Sequence, residues 1–390
     1  MSFLNSIFKN NNQDFYTVDF LEIKKQGRVF WCIDSNCAKP TFLATYPRLT
    51  FKSKIFSLLI TIIWQLKLQR FFFNKKKYDI DKGSVYDILS EHFPHLSFFT
   101  GTPGVNRKII IVGNKSNHNV FFKIATSKES ELLVRNEIEI LKKLKNYDFG
   151  SHKIPSIAKY SDLYGITDVA MQKGGGREVA LKAVNSFYEI LYTQSADKVD
   201  LSNILQEMRT SIDSHPNFKK QNDRLVYDLE LNIKLQKRVL LLLSKKDIDI
   251  DVYFSHGDLT LWNVFPSPED SLAVIDWELG EIRSKYFDLI HFIVSQEILI
   301  KNSDFDTVYT EVFTCLQRHT VGETKQSLKL YVCLYFLQQS NYYSLRYKQQ
   351  TGFIHEQVYW QLDIWNSYFE FFLGDFSVNK HHDIIEKVVR

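Results

Sequence analysis

The sequence predicts an α+β fold with a β-rich front and a mainly helical back, and three observations predict it. Two runs of alternating and bulky apolar residues, RKIIIVG and NVFFKIA, read as strands joined by a polar turn. Between Lys128 and Leu144, the apolar residues Leu132, Leu133, Ile138, Ile140, Leu141 and Leu144 recur with a helical period. After Arg177 the pattern is helical to the end, interrupted by one loop-rich island from Ser255 to Lys285.

Composition bounds what such a chain can be. With 390 residues it holds roughly two domains, and 44% hydrophobic and 24% charged residues exclude disordered and collagen-like classes. Four scattered cysteines cannot form an extracellular disulfide framework. Cys32 and Cys37 form a C-x4-C pair with no second pair nearby, so they read as buried thiols rather than as a zinc site. The N-terminal MSFLNSIFKNNNQDF lacks the apolar core of a secretory signal, and the expected location is a reducing cytoplasm. The net charge of +4 hides an asymmetry: residues 35–78 contain nine basic and no acidic residues, which leaves a mildly acidic body.

Taken in order, residues 15–50 form short β-like runs broken by Gly27, Asn36, Pro40 and Pro47. An apolar helix follows, whose longest uncharged stretch, Ile55 to Leu66, is about 18 Å long against a hydrocarbon core of about 30 Å. It is too short to span a bilayer. Ser57, Thr61, Gln65 and Gln69 make a narrow polar stripe, and basic residues stand at both ends. Two readings of residues 52–77 remain open: an interfacial helix on an anionic membrane, anchored by Trp64 and Phe71 to Phe73, or a helix packed on the body. Lysine clusters with interleaved aromatics also serve nucleic-acid binding, but the long apolar run favours lipid, and no nucleic-acid partner is expected. The helix SVYDILSEHF, the turn TGTPG, the two strands, the long helix and the runs IPSIAKYSDL and GITDVAMQ come next. The expected division is therefore an extension at residues 1–85, a β-rich lobe at 86–173 and a helical lobe at 174–390, hinged near Gly174 to Gly176.

The chemistry concentrates in the island. His256, Asp258 and Asn263 stand as H-x-D-x4-N, and Asp276 follows at the end of the apolar run LAVID. Phosphoryl transfer from ATP needs a carboxylate to orient the attacking hydroxyl and take its proton. It also needs a carboxylate and an amide oxygen to hold magnesium over the phosphates. Asp258, Asp276 and Asn263 have the types and spacing for those tasks. A hydrolytic metal site built from His256, Asp258, Asp276 and His291 is the competing reading.

HGDLTLWN, followed by VIDWE and FDLIHF, resembles the aminoglycoside phosphotransferase and choline kinase branch of the protein-kinase-like superfamily. The resemblance is specific over about 35 residues and extends over roughly 86–375. It implies a bilobal protein-kinase-like fold, ATP and Mg²⁺ as cofactors, Asp258 as catalytic base, and Asn263 and Asp276 as metal ligands. His256 and Asp288 become braces of the catalytic loop. Gly257 replaces the arginine usual in protein kinases, and only eleven residues separate Asp276 from Asp288, so a small-molecule hydroxyl acceptor is implied rather than a protein. In the front lobe the resemblance makes Lys123 the grip on the α- and β-phosphates and Glu137 its partner, with Glu131 the competing choice. Adenine contacts are expected around Ala170 to Lys173, with Met171 against the ring. TGTPGVNR has Gly101 and Gly104 but not the G-x-G-x-x-G pattern.

The acceptor is less legible. Residues 301–390 hold nine basic and ten acidic residues, no acidic excess for a polycationic drug. From Tyr331 to Phe372, 14 of 42 residues are aromatic; most are expected in the core, and the rest suit a sugar ring or a quaternary amine. The resulting expectation is a kinase for a sugar or saccharide-linked lipid, peripheral on a membrane. A choline, ethanolamine or aminoglycoside kinase and a catalytically silent nucleotide-binding scaffold are the alternatives.

Overall fold

The computed structural model of the chain describes residues 4–10, 14–25, 27–45, 51–101, 104, 106–115, 118–167, 177–214, 222–267, 270–320, 322–350 and 354–388. Two compact units emerge. The first comprises Met1–Lys173 with Ala273–Glu278, the second Gly174–Leu272 with Leu279–Arg390. The chain is α+β, with the sheet in the first unit and most helix in the second.

The first unit is built on eight strands: β1 (Phe15–Lys25), β2 (Arg28–Asp34), β3 (Asn74–Asp81), β4 (His95–Phe99), β5 (Lys108–Lys115), β6 (His118–Ala125), β7 (Ile157–Tyr160) and β8 (Leu163–Thr167). They form one antiparallel sheet in the order β3-β1-β2-β4-β5-β6-β8-β7. The boundary expected at residue 85 falls inside this sheet. Trp31 of β2 pairs with Phe99 of β4, and β1 joins β3 from Phe15↔Asp81 to Glu22↔Asn74. Because successive strand residues point to opposite faces, this part of the sheet has two apolar sides. Phe20, Cys32, Phe98 and Ile111 pack on one side with α1 (Asn5–Phe8) and α4 (Val85–Ser90), while Leu21, Trp31 and Ile33 pack on the other.

That second side receives the basic helix α2 (Phe51–Gln65), which is followed by the short α3 (Gln69–Phe72). Ile60 and Trp64 are buried beside Trp31, Phe42 and Leu43, and the Trp64 indole N–H donates to the Cys37 carbonyl at 3.1 Å. Trp64 is thus a core residue, contrary to its expected use as a membrane anchor. Phe73 packs half-buried on it, whereas Phe71 and Phe72 are exposed. All four cysteines are free and buried, Cys32 and Cys37, read as buried thiols, among them.

Helix α5 (Lys128–Leu144) starts and stops where the period places it. Ser127 caps it by accepting from Ser130 N–H, while the Ser130 hydroxyl returns to the Ser127 N–H. Leu133, Ile140, Leu141 and Leu144 are buried.

The second unit contains α6 (Arg177–Ser195), α7 (Leu201–Asp213), α8 (Asp223–Leu243), α9 (Phe287–Gln296), α10 (Phe305–His319), α11 (Lys325–Gln349) and α12 (Glu356–Val388). A small antiparallel sheet sets β10 (Asp249–Ser255) between β9 (Asp197–Asp200) and β13 (Glu281–Ser284). Two further short strands are β11 (Val264–Ser267) and β12 (Ser271–Val274). Every residue of α9 is buried. The aromatics of α11 and α12 are mostly core, among them Tyr335, Phe336, Trp365, Tyr368 and Phe369.

Candidate active site

The candidate side chains fall into two groups, one in each unit. In the first, β6 carries Lys123 opposite Ile110 of β5, and α5 turns Glu137 inward, 1% exposed. The Lys123 Nζ lies 2.6 Å from Glu137 Oε2. It also donates to Asp276 Oδ1 and stands 3.8 Å from Glu278. Glu131, the other acid on the helix, is exposed and pairs with Arg135.

The segment 273–278 is held in this unit by backbone and ring contacts. Val274 N–H donates to Lys153 C=O at 2.9 Å, and the Trp277 ring, fully buried, meets Phe149 edge-on. Asn136 donates to the Glu278 carbonyl at 2.8 Å, and Lys108 of β5 pairs with the Glu278 carboxylate. Asp276 adopts a left-handed backbone, φ 66°. That conformation is uncommon outside glycine and is stored as local strain by the packing around it.

Three carboxylates therefore share one ammonium. Oxygens of Glu137, Asp276 and Glu278 lie within 4.8 Å of one another. Burial pushes the Glu137 carboxyl up, Lys123 pulls it back, and Asp276 and Glu278 push it up again, with the result near 7. Glu278 is raised by burial and by Asp276 against the pull of Lys123 and Lys108. Burial disfavours the Lys123 ammonium, but Asp276, Glu137 and Glu278 outweigh it and hold the charge firmly. An all-oxygen carboxylate set suits a hard divalent cation such as magnesium.

In the second unit, the loop after β10 carries His256, Gly257 and Asp258. Asp288, wholly buried at the start of α9, accepts from His256 N–H at 2.8 Å and Gly257 N–H at 3.0 Å. Its own N–H donates to the Tyr253 hydroxyl. The His256 ring, also wholly buried, accepts from Asp258 N–H through Nδ1 at 3.2 Å. These contacts give His256 and Asp288 a bracing task. Gly257 has φ 81°, and a Cβ there would run into the Leu279 carbonyl oxygen.

Both oxygens of the partly exposed Asp258 carboxylate are engaged. Oδ2 accepts from Asn263 Nδ2 at 2.9 Å, and Oδ1 meets His291 Nε2 at 3.1 Å. Asn263 Nδ2 also donates to the Asp258 carbonyl. With its nitrogen so committed, the amide oxygen is the end left for a cation. On its far side, His291 Nδ1 contacts the Tyr335 hydroxyl at 3.0 Å and Gln339 Nε2 at 2.9 Å.

The structure brings Lys123, Glu137 and Asp276 together in one unit, and His256, Asp258 and Asn263 together in the other. Met171 and Lys173 lie outside the described residues. Sequence reasoning did not assign Lys108 or Glu278, and it considered His291 only as a hydrolytic metal ligand. Glu278 carried a signal, being the acid of VIDWE; Lys108 carried none. Among the described residues the carboxylate cluster that could hold a metal contains neither His256 nor His291.

No family model matches the chain. No curated protein matches it either. Solved structures to which it is similar include a thermostable mutant of an aminoglycoside phosphotransferase, at 10% identity and TM-score 0.49, covering 73% of this chain and 97% of that one. An ethanolamine kinase from Plasmodium vivax matches at 12% identity and TM-score 0.47, covering 70% and 81%. A choline kinase from Streptococcus pneumoniae matches at 15% identity and TM-score 0.44, covering 67% and 89%.

Proposed function

We propose that this chain is an ATP- and magnesium-dependent kinase that transfers the γ-phosphate to a hydroxyl of a small molecule. One observation carries the reading: the buried ion pair of Lys123 with Glu137, which the motif order singles out and which here also engages the carboxylate Asp276. A lysine fixed in this way presents a held positive charge to phosphate oxygens.

Each residue has a task that its surroundings support. Asp258 orients the acceptor hydroxyl and takes its proton as the oxygen attacks the γ-phosphorus and the bond to the β-phosphate oxygen breaks, releasing ADP. His291 and Asn263 hold the two carboxylate oxygens of Asp258 in place. Asn263, through its amide oxygen, and Asp276 are the residues that would hold magnesium, which neutralises charge on the phosphates when bound. Gly257 and the braces His256 and Asp288 keep the loop in register. Met171 and Lys173, which lie outside the described residues, remain the proposed nucleotide-binding residues.

The acceptor class is a sugar or a saccharide-linked lipid. The absence of an acidic excess in residues 301–390 disfavours a polycationic aminoglycoside, and the buried aromatics of α11 and α12 leave few rings for a choline-like cation. Residues 52–77 belong to the same reading as the part that meets an anionic membrane from the cytoplasmic side.

The test is transfer from γ-labelled ATP to a panel of sugars, lipid-linked saccharides, choline and ethanolamine. Asp258→Asn is expected to abolish transfer while the nucleotide-induced thermal shift persists. Turnover by Asp258→Asn at the wild-type rate refutes the assignment. A thermal shift in the wild type with no transfer to any acceptor supports the silent scaffold instead.

A further inference from the structure

Helix α2 has two apolar stripes rather than one. Phe56, Ser57, Ile60, Ile63 and Trp64 form the stripe seated on the sheet. On the opposite side, Ile55, Leu58, Leu59, Ile62 and Leu66 recur at i, i+3, i+4, i+7 and i+11, a stripe about 100° wide. Among the described residues nothing covers this outer stripe: Leu58 is 61% exposed, Leu59 53% and Leu66 62%. Just beyond the helix, Phe71 and Phe72 are 84% and 62% exposed.

The charges around the stripe are of one sign. Lys52 and Lys54 stand at one end of the helix, Lys67 and Arg70 beyond the other, all exposed. No ion pair is found for any of them among the described residues, in contrast to Lys75 and Lys76 of β3, which pair with Asp19 and Glu22. No acid occurs between residues 35 and 78. The stripe itself offers no hydrogen-bonding group, so a partner must be apolar at the centre and anionic at the rim. An anionic phospholipid surface has that layering, with acyl chains beneath phosphate headgroups. At fifteen residues α2 is about 22 Å long, and among the described residues no helix is long and apolar enough to cross a membrane.

We propose that the outer stripe of α2, with Phe71 and Phe72, is an in-plane docking face for an anionic bilayer. The inner stripe holds the helix on the sheet, the outer stripe enters the acyl boundary, and the lysines and Arg70 reach up to the headgroups. This identifies the face through which the proposed membrane partner is met, and it rests on the packing of the first unit alone, not on phosphate transfer.

The full chain is sedimented with vesicles of phosphatidylcholine alone and with vesicles that also contain phosphatidylglycerol. Binding to the anionic vesicles, weakened by salt, with little on neutral ones, is expected. Leu58→Glu with Leu59→Glu is expected to abolish it without shifting the thermal midpoint, because both side chains are already in water. Lys52→Gln with Lys54→Gln is expected to weaken it roughly tenfold to thirtyfold. Wild-type protein that stays in the supernatant overturns the proposal, as does a dimer in gel filtration that the two glutamates dissociate, or retention of single-stranded oligonucleotide in place of vesicles. Asp258→Asn must bind vesicles like the wild type, which separates failure of docking from failure of the kinase reading.

Discussion

Replacing Lys123 by Met keeps the side-chain volume and removes the one cation that contacts Glu137 among the described residues. Three carboxylates then remain within 4.8 Å of one another, and among the described residues Lys108 pairs with Glu278 alone. Two unit charges at that separation repel by about 3.5 kcal/mol at an effective dielectric constant of about 20, and breaking a buried pair costs about 3–5 kcal/mol. Protonation of Glu137 relieves part of this. Its carboxyl titrates near 7 in the folded chain, above the ordinary glutamate value of about 4.3. The folded chain therefore holds the proton between those two values when the unfolded chain has lost it, so the Glu137 contribution to stability is fully present below the lower value and gone above about 7. Lys123→Met removes the group that pulls this carboxyl down, and its penalty must grow with pH, to about 3–5 kcal/mol at pH 8. Glu137→Gln leaves Lys123 bonded to Asp276, so about 1–2 kcal/mol is expected, with a flatter pH profile. Urea unfolding followed by tryptophan fluorescence, in chelator, measures both. Added magnesium is expected to recover part of the stability of Lys123→Met by replacing the lost positive charge. Equal stability of Lys123→Met and wild type at pH 8, or a larger loss in Glu137→Gln, would refute this account of the cluster.

Two further perturbations concern the second unit. Glu323 accepts from Lys285 at 2.8 Å, from the Ser327 hydroxyl and from the Tyr286 hydroxyl. Burial pushes its carboxyl up, but these donors outweigh burial and hold it below the ordinary range. Its contribution is therefore present above about pH 4.3 and lost as the pH falls further. Glu323→Gln is expected to lower stability at pH 7 by about 1–3 kcal/mol and to flatten the acid limb; an unchanged acid limb would rule this network out as a source of acid lability. Gly257→Ala places a methyl group against the Leu279 carbonyl at φ 81°, so a loss of about 2–4 kcal/mol is expected from clash and left-handed strain. Calorimetry and the transfer assay should fall together in that variant. A fully active, equally stable alanine variant would show that the loop has another conformation open to it.

The parts legible in the sequence are those whose signal is local. The apolar period placed α5 from Lys128 to Leu144, since a helix is written in residues three and four apart. Alternation placed β5 and β6 with Lys123 among them, and the H-x-D-x4-N spacing placed Asp258 and Asn263 within one loop, where they are hydrogen-bonded. The sequence shifts from β-like runs to helical ones near residue 174, whereas the first compact unit takes Met1–Lys173 together with Ala273–Glu278, a return that no local pattern marks.

Other features depend on pairings far apart in the chain, and these have no local trace. Residues 15–81 read as an appended extension, yet β1, β2 and β3 continue the sheet of the first unit, because Trp31 meets Phe99 across 68 positions. The three-carboxylate cluster around Lys123 needs Asp276 and Glu278, more than 150 residues downstream, and Lys108 finds Glu278 across 170. For α2 the sequence determined a short apolar helix flanked by cations, but apolar residues surround its axis on two sides. Only the tertiary structure decided which side faces the core, because Trp31 of the sheet and Phe42 and Leu43 of the turn Thr41–Thr45 meet Ile60 and Trp64 and leave Leu58, Leu59 and Leu66 in water.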